Sequence, residues 1–176
     1  MEIQQLIAMR REKDVFMKDH PQSPLTPEQQ DAFDALRYYE PNPALDLTVR
    51  IEPVEGDHEI SIDTTSGTTR RYIRYGRFKF TVDAQEVSLT IYEAPHGYFL
   101  PFVDANAGVE TYSGGRYLEP QQLSDGMFHV DLNQAYNPYC AYSDGWSCPI
   151  TPAENRLTVA IKAGEMLPDD KWLEVE

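Results

Sequence analysis

Hydrophobic and polar positions divide the chain into a short helical front and a long strand-rich remainder. From Glu2 to about Asp19, Ile3, Leu6, Ile7, Met9, Phe16 and Met17 are interleaved with Arg10, Arg11, Glu12, Lys13 and Asp14, the spacing of an amphipathic helix with an imperfect stripe. His20-Pro21-Gln22-Ser23-Pro24-Leu25 then forbids helix and favours an extended path. A second helix starts cleanly, because Thr26 can cap, Pro27 suits the first helical position and Gln29 completes a capping box. Phe33 and Leu36 would face the core, and Tyr38 to Pro43 ends the helix.

From residue 45 the period becomes two. Leu45, Leu47, Val49 and Ile51 alternate with Asp46, Thr48 and Arg50, as do Ile60 and Ile62 with Glu59, Ser61 and Asp63, the pattern of half-buried strands. Thr64 to Thr68 reads as a turn. Beyond it Ile73 and Tyr75 share one parity while Phe78, Phe80 and Val82 share the other, so a bulge is predicted at Gly76. Asp83-Ala84-Gln85 turns the chain into Val87-Leu89-Ile91, a hairpin. Further short strands are predicted at Tyr98 to Val103, Gly115 to Leu118, Met127 to Leu132 and Leu157 to Ile161. The expectation is a mainly β fold, at the margin of α+β: an antiparallel β-sandwich or barrel with two N-terminal helices packed on it. The 176 residues suit a single domain, with 1–44 helical, 45–165 the β core and 166–176 a C-terminal tail.

Charge narrows the partners. With 15 basic and 29 acidic residues the net charge is −14, spread along the chain, and such a surface repels nucleic acid and anionic bilayers. No apolar run approaches the roughly 18 residues that span a membrane, and Met1 to Gln5 lacks an export signal, so no membrane partner and a cytoplasmic location are expected. Oligomeric state and cofactors are not legible.

Candidate chemistry concentrates between Phe99 and Glu165, where long irregular stretches carry Asn, Asp, Tyr, Gly, Pro, Cys and Trp. In Met127 to Asn133 the apolar Phe128, Val130 and Leu132 take one face, leaving His129, Asp131 and Asn133 as a polar row on the other. Arg116, after Gly114-Gly115, offers a bidentate fork to a carboxylate, unless Asp104 or Glu154 satisfies it internally. Arg70, Arg71, Arg74, Arg77 and Lys79 invite an anion, although alternation sends Arg77 and Lys79 outward to water. Cys140 and Cys148 flank a Ser-Asp-Gly turn. They could form a disulfide, join His96 or His129 at a metal, supply a nucleophile beside His129, or sit buried and inert; no metal site is assigned.

These residues resemble a known family. Pro101-Phe102-x-Asp104, Gly108, Thr111-Tyr112 and Gly115-Arg116-Tyr117-Leu118 match one signature of a bacterial and archaeal family, domain of unknown function 1684. The second is Asp131-x-Asn133-x-Ala135-Tyr136-Asn137-Pro138-x-Cys140-Ala141-Tyr142, followed by Cys148-Pro149, Pro152, Glu154-Asn155-x-Leu157 and Ala163-Gly164-Glu165. Leu132, Tyr139 and Ile150-Thr151 depart from it at packing and loop positions. The resemblance implies that the two signatures meet in space and names no chemistry.

The residues together suggest a polar cleft for a small polar or anionic molecule, with acid/base turnover as its extension. His129, Asp131 and Cys140 are the catalytic candidates. Asp104, Tyr112, Arg116, Asn133, Tyr136, Asn137, Trp146, Glu154 and Asn155 are the binding candidates, with Arg116 orienting an acid and Tyr112, Tyr136 and Trp146 as stacking walls. The rival reading makes the Asn/Tyr/Pro/Cys stretch a buried plug in a non-catalytic interaction module. Burial of Asn133, Asn137 and Asn155 separates the two.

Overall fold

The computed structural model describes residues 2–175. Helix α1 (Ile3–Asp19) turns only Leu6 and Met17 fully inward, as its broken stripe allows. Helix α2 (Pro27–Ala32) has the capping box: Thr26 accepts from the Gln29 amide, and the Gln29 side chain accepts from the Thr26 amide. It is shorter than its pattern suggested. After Ala32 the chain extends, and the Leu36 amide donates to Asp14 of α1 instead of to a helical carbonyl.

Eight strands follow: β1 (Asp46–Arg50), β2 (Glu59–Asp63), β3 (Thr69–Val82), β4 (Gln85–Ala94), β5 (Gly97–Phe102), β6 (Arg116–Leu118), β7 (Gln121–Ser124) and β8 (Met127–Asp131). They form two antiparallel sheets, a three-stranded one ordered β1-β8-β7 and a five-stranded one ordered β2-β3-β4-β5-β6. Each keeps two edges, so the barrel alternative is corrected: among the described residues no sheet closes. Leu157 to Ile161 is no strand, because its backbone is used elsewhere, Leu157 donating to Val103 and Val159 accepting from Ala105. The C-terminal stretch is more than a tail. Helix α3 (Asp170–Leu173) buries Trp172, which joins Met17, Leu25, Phe33, Leu36 and Tyr142 in a second core.

The main core draws Val49 from β1, Phe128 and Val130 from β8, and Phe78, Phe80, Leu89, Ile91, Leu100, Phe102 and Leu118 from the larger sheet. The bulge stands at Gly76, where the β3–β4 register shifts between Arg74 and Gly76. Its consequence for the site is direct. One extra residue inverts the facing of β3, so that Tyr75 meets the core while Tyr72 turns to the opposite face of the sheet. Tyr92, paired opposite Arg74, and Phe99, paired opposite Tyr92, lie on that same back face, as does Tyr117, between the core-facing Arg116 and Leu118.

Candidate functional site

The back face of the larger sheet is the floor of a cleft of about 500 Å³. Tyr72, Phe99 and Tyr117 form a run of rings: Tyr72 stacks on Phe99 at 5.4 Å, and Phe99 meets Tyr117 edge-on at 4.9 Å. One wall is the β4–β5 turn with His96; the other is the loop from Tyr136 to Pro149, with Tyr139 and Trp146 edge to face at 4.9 Å. The loop is tied down over β6, where Tyr117 and Tyr136 exchange backbone hydrogen bonds of 2.8 and 2.9 Å and the Tyr117 hydroxyl donates to the Pro149 carbonyl. Arg70 stands in the lining and donates from Nη2 to the Ser147 carbonyl at 2.8 Å. The acidic residue of the lining, Glu119, accepts from the Tyr136 hydroxyl at 2.8 Å. Burial first, and then Glu119, push the Tyr136 phenol well above its ordinary pKa, so it stays a neutral donor.

Of the sequence-predicted residues, Tyr136, Asn137 and Trp146 line this cleft. Asn137 is buried: its amide donates to Glu165 at 2.8 Å and its Nδ2 to the Met166 carbonyl at 3.0 Å, and its Oδ1 has no hydrogen-bond partner. Trp146 is 38% exposed and donates from Nε1 to Ser143 Oγ. Tyr112 is half-buried outside the cleft, its ring packed over Gly114.

The others serve the scaffold. Arg116 is 1% exposed and points into the protein, where Nη2 donates to the Ile161 carbonyl at 2.8 Å and Nη1 to the carbonyls of Glu165, at 3.0 Å, and Ala163. Asp104 lies 3.7 Å from Nη2 and also accepts from the Thr111 hydroxyl and the Ile161 amide. The expected hollow shared by Arg116 and Asp131 is therefore corrected: Arg116 is sealed among internal carbonyls, and its Nη1 and Nη2 are occupied by the chain itself. Asn133 accepts from the Asn42 amide at 2.7 Å and donates back to the Asn42 carbonyl at 2.9 Å, pinning the segment after α2 to the turn after β8. Asn155, fully buried, accepts from the Thr90 amide and donates to the carbonyls of Thr90 and Pro101, each at 2.8 Å. It substitutes for ladder bonds where β4 and β5 part. Glu154 belongs to a separate surface cavity with Arg74 and Arg77, accepting from Arg74 Nε at 2.8 Å and the Tyr92 hydroxyl at 2.5 Å.

His129 and Asp131 do share one face of β8, as alternation requires. His129 Nε2 is 2.5 Å from Asp46 Oδ1 of the neighbouring strand, and Asp131 accepts from the Asn133 and Gln134 side chains. The ligand atoms of Asp46, His129 and Asp131 lie within 4.8 Å of one another, the set among the described residues that could hold a cation. His129 and Asp131 line a depression with Gln5, Gln121 and Gln134, which meets the aromatic cleft only at Glu119. Cys140 and Cys148 are joined in a disulfide, their Cα atoms 6.6 Å apart. That corrects Cys140 as a nucleophile, since a disulfide sulfur presents no thiolate.

Sequence reasoning missed Tyr72, Phe99, Tyr117, His96, Glu119 and Tyr139 in the lining, whereas Arg70 stood among the five cations that invite an anion. A signal existed for two of them: Phe99 and Tyr117 put rings at strand positions whose neighbours, Leu100 and Leu118, already fill the core face.

The chain is similar over its whole length to the uncharacterized protein from gene locus rrnAC0354 of Haloarcula marismortui, known from a solution NMR structure. The two share 38% identity and superpose with a TM-score of 0.69, over 98% of this chain and 95% of that one. No curated protein matches. The family model described as protein of unknown function (DUF1684) matches residues 31–166, which hold both signatures, and the chain belongs to that family.

Proposed function

We propose that this is a non-catalytic binding protein, a β-sandwich whose aromatic cleft takes a small molecule combining a flat ring with an acidic group. The observation that carries the reading is the cleft itself: about 500 Å³, floored by Tyr72, Phe99 and Tyr117, with the Arg70 guanidinium in its lining. The volume suits one small ligand, and rings stack on rings in offset or edge-on contact. Among the described residues Arg70 makes one hydrogen bond, from Nη2, so Nε and Nη1 remain to bind a carboxylate. Binding is favoured over turnover because His129 and Asp131 lie outside the lining, Cys140 is in a disulfide, and the buried Asn133, Asn137 and Asn155 hydrogen-bond the chain's own backbone.

Trp146 stands in the lining whereas Trp172 is buried in the second core, so a fluorescence titration reads the cleft. Benzoate should give a saturable change and bind more tightly than neutral benzyl alcohol. Arg70→Met should weaken benzoate about five-fold, the worth of one exposed charged contact, and leave benzyl alcohol unchanged. No saturable change up to about 10 mM of either ring compound would remove the proposal.

A further inference from the structure

We infer that the Cys140–Cys148 disulfide is a redox-controlled staple for one wall of the aromatic cleft, complete when oxidised and loosened when reduced. The inference rests on the binding reading above and adds its regulation. The bond closes a loop whose ends are eight positions apart, and inside it lie Trp146 and Ser147 of the cleft lining, with Tyr139 just outside.

Both flanks of the loop are anchored without the disulfide. Tyr142 is buried, its hydroxyl donates to Glu165 at 2.7 Å, and its carbonyl accepts from Gln29 at 2.8 Å. At the other end Cys148 is bracketed by Thr65, whose amide donates to its carbonyl at 2.9 Å and whose Oγ1 accepts from its amide at 3.0 Å, and Ile150 donates to Asp63. Between these anchors Asp144, Gly145 and Trp146 are exposed. The segment is held by side-chain bonds: Ser143 to the Pro24 carbonyl, Trp146 to Ser143, Thr65 to the Trp146 carbonyl, Ser66 to Ser147, Arg70 to the Ser147 carbonyl. Each such bond contributes little against water, and the disulfide is the covalent tie between the Tyr139–Ala141 turn and Cys148. Cutting it should therefore free residues 143–147 and leave the sheets and the second core in place.

The sulfurs are unequal in access, since Cys148 is buried and Cys140 is half-buried beside Thr65. A thiolate of an external dithiol attacks Cys140 Sγ, the S–S bond breaks, and Cys148 leaves as a thiolate that takes up a proton. The reagent's second thiolate then attacks its own sulfur in the mixed disulfide and releases Cys140, which is protonated in turn. Two electrons and two protons have passed to the protein, and the dithiol has become a cyclic disulfide. A disulfide oxidant reverses the exchange.

The test uses the whole chain, benzoate as probe and dithiothreitol as reductant, with amide hydrogen exchange followed by NMR. Oxidised protein should bind benzoate. Reduced protein should bind about five-fold more weakly, as for a wall in place a fifth of the time, with faster exchange confined to 143–147 and affinity restored on reoxidation. Cys140→Ser with Cys148→Ser should reproduce the reduced state; should that variant not fold, reduction of the parent carries the test. Equal affinity in both redox forms overturns the staple while the binding reading stands. Binding by neither form overturns the binding reading and the gate with it, whatever the loop does. Loss of exchange protection throughout the sheets on reduction overturns the inference too, because the bond would then hold the fold and not one wall.

Discussion

Asn155 does the work of a missing stretch of β ladder. Its amide serves one N–H and two carbonyls of neighbouring strands in a place where no water reaches, so its loss strands three buried backbone groups at once. Asn155→Ala should lower the unfolding free energy by about 3 kcal/mol or more, read as a lower urea midpoint at unchanged slope; a change under about 0.5 kcal/mol would mean that the site relaxes freely. Glu154 next to it gives a pH signature. Burial alone would raise its pKa, but the Tyr92 hydroxyl and the Arg74 guanidinium, with charge from Arg77, hold it below the usual carboxylate value. A depressed acid contributes stability that is complete above the unfolded-state pKa, about 4.3, and is lost as pH falls through the lower folded value. Glu154→Gln should therefore destabilise the protein at neutral pH and flatten its acid limb below about pH 4.3 in chemical denaturation. Parallel curves for variant and parent would contradict the assignment.

Among the elements, the bulge in β3 decides most. At Gly76 the end of β1 crosses close over the strand, with Glu52 and Arg77 exchanging backbone hydrogen bonds of 2.7 and 2.8 Å. A Cβ at Gly76 would lie 2.1 Å from Ile51 Cγ2 and 2.8 Å from the Glu52 carbonyl oxygen. Gly76→Ala should cost about 1–3 kcal/mol in thermal or urea unfolding, whereas an unaltered midpoint would show that β1 can lift away. This bulge was legible because core parity switches between Tyr75 and Phe78. Strand β7 was not, since Gln121-Gln122-Leu123-Ser124 is exposed throughout and has no apolar alternation to read. Leu157 to Ile161 misled in the opposite direction. Its alternation is real and Val159 and Ile161 are core, but its polar backbone serves Asp104, Ala105 and Arg116 in place of a neighbouring strand.

At the scale of the whole molecule, the five-stranded sheet has one face in the main core and a cluster of rings on the other, covered on one side by the Tyr136 to Pro149 loop. The two signatures do come together, Tyr117 against Tyr136 at the cleft and Arg116 against the carbonyls of Ala163 and Glu165 in the interior. Local pattern could not have revealed this. Arg116, flanked by glycine, looks like a ligand's partner until one sees the carbonyls that arrive from 45 to 49 residues further along the chain. The cleft is likewise assembled from positions scattered between Arg70 and Pro149. What alternation did give was the β architecture and the common face of His129 and Asp131. A benzoate titration of the oxidised protein, followed residue by residue in ¹H–¹⁵N NMR spectra, tests the central claim most directly. Saturable shifts should centre on the amides of Tyr72, Gly97, Phe99, Tyr117, Trp146 and Ser147. Shifts centred on Asp46, His129 and Asp131, or the absence of saturable shifts, would contradict the account.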